Sequence, residues 1–212
     1  MTKKKDRELL AARLLDAMLL QVPFEGWTSL ALRAAANDVG VDIGSAKRIF
    51  PSGADDALAL WGTISDQRML EALGEVDLDA MRIRERIAAC VRLRLEMLEA
   101  HREAVRAALA RASLPHNAPA ATRALWRTVD IMWRAAGDTA TDFNYYSKRG
   151  LLAGVYGVTL LFWLEDDSED RAESWAFLDR RIDDVMKVPR VVSRLKKLAP
   201  NPERLLRAFA RR

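Results

Sequence analysis

One cysteine, Cys90, and two histidines, His101 and His116, are all that 212 residues offer in thiols and imidazoles. A single thiol excludes an intrachain disulfide framework and any multi-cysteine zinc site, and two histidines leave little for imidazole-based metal chemistry. Long apolar runs are also lacking. The longest uncharged stretch, Gly150 to Leu164, has 15 residues, short of the roughly 20 that span a bilayer. Met1 to Arg13 has no apolar run behind its lysines, so neither a secretory signal nor a transit peptide is expected. No Gly-rich phosphate loop, Cys-x-x-Cys, Glu-x-x-His pair or nucleophile elbow occurs, so no catalytic centre and no cofactor are expected. These absences point to a soluble, cytoplasmic protein.

Half of the chain is apolar and 30% is charged, a globular balance that excludes disorder. Net charge is +4, and its placement says more than its size. Residues 1–60 and 61–112 are each neutral, and residues 113–170 sum to −3. Lys187 to Arg212 carries nine Lys/Arg against Glu203 alone. An anionic partner should therefore meet the tail first.

The periodicity is helical throughout and no β-type alternation appears, so the fold class is all-α. Asp6 to Val22 bears a Leu10, Leu14, Met18, Val22 stripe, with Pro23 and Gly26 expected to end it. Thr28 is an N-cap for Leu30 to Val39 and Gly40 closes that helix. A short third helix runs to Phe50, and Asp55 to Leu73 follows. Met81 to Arg111 reads as one long helix. A Leu114-Pro115-His116-Asn117-Ala118-Pro119 break precedes a helix with Trp126, Met132 and Trp133, ended by Gly137. Asp142 to Leu164 is the least amphipathic helix and so the most buried. An acidic turn, Glu165 to Asp170, leads into a helix from about Trp175 to Met186, and Pro189, Pro200 and Pro202 are expected to divide the tail into two short helices. Three parts result: a helix-turn-helix-like unit over 1–60, a helical body over 61–187 and a basic amphipathic tail over 188–212.

The first part resembles TetR-type regulators, through Thr28, Ala34, Gly40, Val41, Gly44, Phe50, Pro51 and Ser52. In such regulators the third helix enters the DNA major groove. Here Lys47 stands where they usually carry a phosphate-contacting aromatic, and Gly53-Ala54-Asp55-Asp56 where they usually carry a lysine. A DNA-binding unit needs a basic footprint, and residues 1–60 sum to zero. The expectation is an inherited scaffold that has lost DNA binding. A TetR-like regulator with a hydrophobic ligand pocket remains the alternative.

A second resemblance lies further on. Leu114-Pro115-His116-Asn117-Ala118-Pro119, Trp133-Arg134-Ala135-Ala136-Gly137-Asp138, Thr141-Asp142-Phe143-Asn144-Tyr145-Tyr146-Ser147-Lys148-Arg149 and the Trp175 to Met186 block resemble the Coq9-type lipid-binding accessory proteins of ubiquinone biosynthesis, whose fold is TetR-like. The resemblance implies a protein without catalytic activity, which binds isoprenoid quinone precursors and docks onto the di-iron hydroxylase that oxidises demethoxyubiquinone. It implies a partner-facing surface at Asp142, Tyr145, Tyr146 and Arg149. Position 145 is tyrosine where many members have tryptophan.

From the residues alone, Asp142, Tyr145, Tyr146 and Arg149 fall at i, i+3, i+4 and i+7 of one helix, which is one face. Tyr and Arg favour interface hot spots, although Asp142 could simply cap while the tyrosines straddle the core boundary. Beyond them Leu152, Val155, Tyr156 and Leu160 turn the helix apolar, interrupted by Gly150, Gly154 and Gly157. That glycine spacing either clears a groove for a lipid tail, walled by Trp126, Met132 and Trp133, or permits a tight helix crossing. His101 sits among charged residues and reads as solvated, and Cys90 as a small buried apolar residue. In the tail, Val191, Leu195 and Leu198 alternate with Arg190, Arg194, Lys196 and Lys197, and Leu205, Leu206 and Phe209 repeat the pattern. An apolar stripe with basic flanks marks an interfacial helix on an anionic bilayer. The protein is expected at the inner membrane as a peripheral homodimer.

Overall fold

A computed structural model describes residues 2–139 and 143–198, with side chains described for 4–139 and 145–185. Every regular element among them is helical, so the all-α fold is as read. The head consists of α1 (Thr2–Glu25), α2 (Ser29–Val39) and α3 (Ile43–Ile49). Thr28 caps α2 by accepting from Leu30 N and Ala31 N at 3.2 and 3.4 Å, and Gly40 closes it in the left-handed region at φ 77°. Asp42 caps α3 through Ser45 N at 2.9 Å. A Cβ at position 44 would come 2.8 Å from that carboxylate, so a side chain there would have to displace the Asp42 cap. The helix-turn-helix geometry is intact.

Pro23 does not end α1, which continues to Glu25. In the last turn a proline forgoes one backbone bond, and Gly26 at φ 65° terminates the helix instead. Leu14, Leu15, Met18, Leu19 and Val22 are buried while Leu9 is 63% exposed, so only the second half of α1 joins the core.

The body comprises α4 (Ala54–Leu73), α5 (Ile83–Glu96), α6 (Arg102–Ala112), α7 (Ala118–Ala135), α8 (Phe143–Glu165) and α9 (Ala172–Leu198). Met81 to Arg111 is therefore not one helix. A 3-10 turn at Glu99–His101 separates α5 from α6 without any proline or glycine. The break is tertiary in origin: α5 stays on α4 and α7, while α6 turns to meet α1. Buried Trp27 fixes that junction, donating from Nε1 to Ala104 O at 3.0 Å. Its ring lies 5.4 Å from that of Trp61, and His101 meets Trp61 edge-on at 6.2 Å. His101 is thus half-buried against an aromatic rather than fully solvated.

Pro189 lies within the span of α9, so it does not divide the tail there. The tail residues Arg190, Val191, Arg194, Leu195, Lys196, Lys197 and Leu198 lie on that helix, their side chains outside the described set, and Leu205, Leu206 and Phe209 fall outside the described residues altogether. None of the helices searched among the described residues is long and apolar enough to cross a membrane.

The end of α8 has four carbonyls without helical partners, like any helix C-terminus. Arginines supply the donors, and their charge suits the negative end of the helix dipole. Arg102 Nη2 donates to the carbonyls of Trp163 (3.1 Å), Leu164 (2.5 Å) and Asp166 (3.3 Å), and Arg106 reaches Leu164 O and Glu165. The acidic turn beyond is built around buried Asp166, which accepts from Ser168 N, Ser174 N (both 2.8 Å) and Ser174 Oγ (2.5 Å). Burial alone would raise this carboxyl, but the bonds from Ser168 and Ser174 outweigh it and hold the group well below the carboxylate range.

Candidate functional site

The α7–α8 hairpin brings three aromatics together on its surface. Trp126 sits 6.5 Å from Tyr145 and 6.3 Å from Tyr146, and the two tyrosines meet edge-to-face at 5.0 Å. Trp126 and Tyr145 are half-buried, while Tyr146 is 62% exposed. The cluster is thus an amphipathic patch with one fully presented ring.

Arg149 lies beneath the patch at 1% exposure. Its Nε donates to Asp130 Oδ1 at 2.6 Å, and its Nη1 to Asp138 Oδ2 at 3.1 Å and Tyr145 O at 3.2 Å. The guanidinium carbon stands 3.5 Å from the Tyr145 ring centroid, and Tyr145 Oη donates to the same Asp130 oxygen at 3.1 Å. Lys148 Nζ holds the other Asp138 oxygen at 2.6 Å, and Arg134 Nε holds Asp130 at 2.9 Å. Trp133 Nε1 donates to Lys148 O at 3.0 Å. Two carboxylates and three cations thereby join α7, the turn after it and α8 into one unit.

Burial of Arg149 opposes its charge, but hydrogen bonds to Asp130 and Asp138 more than compensate, and its pKa is raised. Burial likewise opposes Asp130, yet bonds from Arg149 and Tyr145 hold its carboxyl below the ordinary value. Of the four residues that the resemblance assigned to a partner surface, Tyr145 and Tyr146 reach the surface. Arg149 is turned inward and supports Tyr145 from below. Asp142 lies outside the described residues.

The seven residues expected to wall a lipid groove separate differently. Met132, Leu152, Val155, Tyr156 and Leu160 are core residues, whereas Trp126 and Trp133 are half-buried. Gly150, Gly154 and Gly157 face away from that core, and a Cβ on any of them would meet nothing within 4 Å. Their helix also exposes Leu151, Val158 and Leu161 at 36%, 43% and 56%. Among the described residues the glycines form neither a groove walled by Met132 nor a helix crossing. Clefts open elsewhere, along α5. One of about 250 Å³ is floored by Met81, Ala88, Ala89 and Trp175. It shares Arg92 and Trp175 with a more polar one of about 730 Å³.

A second polar cluster, missed in the sequence, lies inside the body. Asp66 of α4 is 2% exposed and accepts from Arg94 Nε of α5 at 3.0 Å, Arg127 Nε of α7 at 3.2 Å and Thr128 Oγ1 of α7 at 3.0 Å. Tyr156 of α8 is close enough for both charges to act on it, and burial pushes its phenol above the ordinary value. The signal was spacing. Asp66 stands three and seven residues before buried Met69 and Leu73, and Arg94 three after buried Val91, where core residues belong.

The geometry defines a class: an all-α bundle with a helix-turn-helix head, the TetR-like fold. A TetR transcriptional regulator from Nitrosomonas europaea ATCC 19718 superposes with a TM-score of 0.68 at 20% identity, covering 82% of this chain and 96% of that one. The family model COQ9 matches residues 118–189, the segment that contains the aromatic patch and both carboxylates beneath it. The ubiquinone biosynthesis protein COQ9, mitochondrial, of Homo sapiens is 32% identical over 200 residues, covering 91% of this chain. The Rattus norvegicus protein of the same name is also 32% identical over 200 residues. Over nine-tenths of its length the chain is similar to COQ9 proteins, on a TetR-like fold. It spans 62% of the human relative's length and 64% of the rat one's.

Proposed function

We propose that this chain is an accessory protein of ubiquinone biosynthesis. In this reading it catalyses no step itself, binds isoprenoid quinone precursors and presents them to the di-iron hydroxylase that acts on demethoxyubiquinone. The observation that carries the reading is the Trp126–Tyr145–Tyr146 patch, locked on the Arg149–Asp130–Asp138 network within the segment matched by the COQ9 family model. Tyr and Trp on a rigid support are what an interface hot spot requires, because a fixed platform loses little freedom when a partner docks.

The other parts of the molecule suit the same task. The tail, with nine Lys/Arg among its last 26 residues, holds the protein against an anionic bilayer, where the precursor resides. The open Gly150–Gly154–Gly157 face, with Leu151, Val158 and Leu161 beside it, takes a second copy of the chain. The head serves as scaffold, since a neutral segment supplies little of the phosphate neutralisation that DNA affinity needs.

The test is co-purification with the hydroxylase from the same organism. Tyr146→Lys changes a side chain that is 62% exposed, so the variant should keep its circular dichroism and thermal midpoint while capturing far less hydroxylase. Undiminished capture by a folded Tyr146→Lys protein contradicts the reading.

A further inference from the structure

The clefts along α5 combine an apolar floor with an acidic rim. In the smaller one, Met81, Ala88 and Ala89 on the α5 side face Trp175, Leu178 and Ile182 of α9. The Trp175 ring is held at two points. Its Nε1 donates to Asp170 O at 2.7 Å, and the Arg92 guanidinium carbon lies 4.9 Å from its centroid. Six carboxylates line the clefts, Glu85, Glu96, Glu99, Asp167, Asp170 and Asp179, against the three guanidiniums of Arg84, Arg92 and Arg171. Each guanidinium is already matched: Arg84 by Asp183 at 2.9 Å, Arg92 by Glu96 at 3.0 Å and Arg171 by Glu99 at 2.6 Å. Asp167 is 94% exposed, and neither Asp170 nor Asp179 is ion-paired among the described residues. The groove is thus strongly acidic in a chain whose net charge is +4.

The segment beyond α9 has the complementary character. Residues 199–212 hold Arg204, Arg207, Arg211 and Arg212 against Glu203 alone, with Leu205, Leu206 and Phe209 among them. Length decides how that segment reaches the groove. From Ile182, at the near end, α9 runs on to Leu198, about 24 Å along its axis. As a helix, residues 199–212 would return only about 21 Å and fall short. Extended, they span about 46 Å. That brings Phe209 level with Trp175, and Arg211 and Arg212 level with Asp170. Pro200 and Pro202 favour such an extended path.

We propose that residues 199–212 fold back along α9 of the same chain and lie extended in the α5–α9 groove, with Phe209 against Trp175 and the arginines against Asp170 and Asp179. Groove and bilayer then compete for one segment. The tail leaves the body only where an anionic surface attracts it more strongly than the groove does. This latch goes beyond the membrane role of the tail and is separable from it.

The test uses the full chain, spin-labelled through Arg180→Cys and Ala208→Cys. Cys90 stays unlabelled, being buried with its thiol pushed up to about 12 by desolvation. In double electron–electron resonance a docked tail should hold the labels within about 20 Å, whereas a tail continuing α9 outward separates them by about 42 Å. The short distance should persist when labelled chains are diluted into an excess of unlabelled chain, and should vanish when phosphatidylglycerol vesicles are added. Asp170→Asn combined with Asp179→Asn should remove the short distance and strengthen vesicle binding at least about threefold. Asparagine also accepts the left-handed backbone of residue 170. As a control, Asp16→Asn with Glu71→Gln neutralises two exposed carboxylates elsewhere and should leave both readouts as in wild type. The latch is overturned by a vesicle-free chain without the short distance, by a short distance lost on dilution and so owed to a second copy, or by groove variants that bind vesicles no better than the control. The membrane role stands through all three and fails only if the full chain ignores the vesicles.

Discussion

Replacing Arg149 by methionine is the sharpest perturbation of the α7–α8 platform. The side chain is 1% exposed and makes three hydrogen bonds, two of them to Asp130 and Asp138. Removing one member of a buried ion pair typically costs 3–5 kcal/mol, because the other charge is left uncompensated. Here neither carboxylate is wholly abandoned. Asp138 keeps Lys148 at 2.6 Å and Asp130 keeps Arg134 at 2.9 Å, which lowers the expected cost to about 2–4 kcal/mol. Urea unfolding followed by circular dichroism should show that loss. Arg149→Lys should fall between, since lysine keeps the charge and loses the planar fork. Acid adds a signature. Asp130 titrates lower in the folded protein than in the unfolded chain, so its contribution is full above the unfolded value of about 3.9. That contribution disappears as pH falls through the folded value. Wild-type stability should therefore drop below about pH 4, and Arg149→Met should flatten that drop. A methionine variant within about 1 kcal/mol of wild type, with an unchanged acid profile, refutes the account of the network.

Three further outcomes follow from the geometry. Ser174→Ala removes one donor from buried Asp166 and should cost about 1–3 kcal/mol, measured by thermal unfolding. Trp27→Phe deletes the buried bond to Ala104 O and should cost about 1 kcal/mol, with loosened protection of α1 amides in hydrogen exchange. Truncation after Lys187 should abolish binding to anionic vesicles in a flotation assay while most helicity survives; binding at the full-length level contradicts the tail's role.

The elements were legible where local chemistry decides them. Thr28 and Gly40 bound α2 as read, because a cap and a left-handed glycine act within a few residues. The division of Met81–Arg111 was not legible, since what bends the chain at His101 is the need of α6 to reach Trp27, 77 residues from Ala104 in sequence. Pro189 misled in the other direction, its breaker chemistry being overridden within α9. At the site, the aromatics were visible because Tyr145 and Tyr146 are distinctive residue types on one face. Arg149 was placed on the partner face by the resemblance and by the preference of interface hot spots for arginine. Its spacing, three and seven residues before buried Leu152 and Tyr156, pointed inward. Asp66 and Arg94 hid because each is one charge in a helix, and their partnership exists only once α4 and α5 pack together.

The measurement that bears most directly on the central claim is mass spectrometry of lipid extracted from the natively purified full chain. The account predicts an isoprenoid quinone precursor at close to one molecule per chain. Repeated preparations that carry no such lipid, and that also fail to take up added quinone, contradict it.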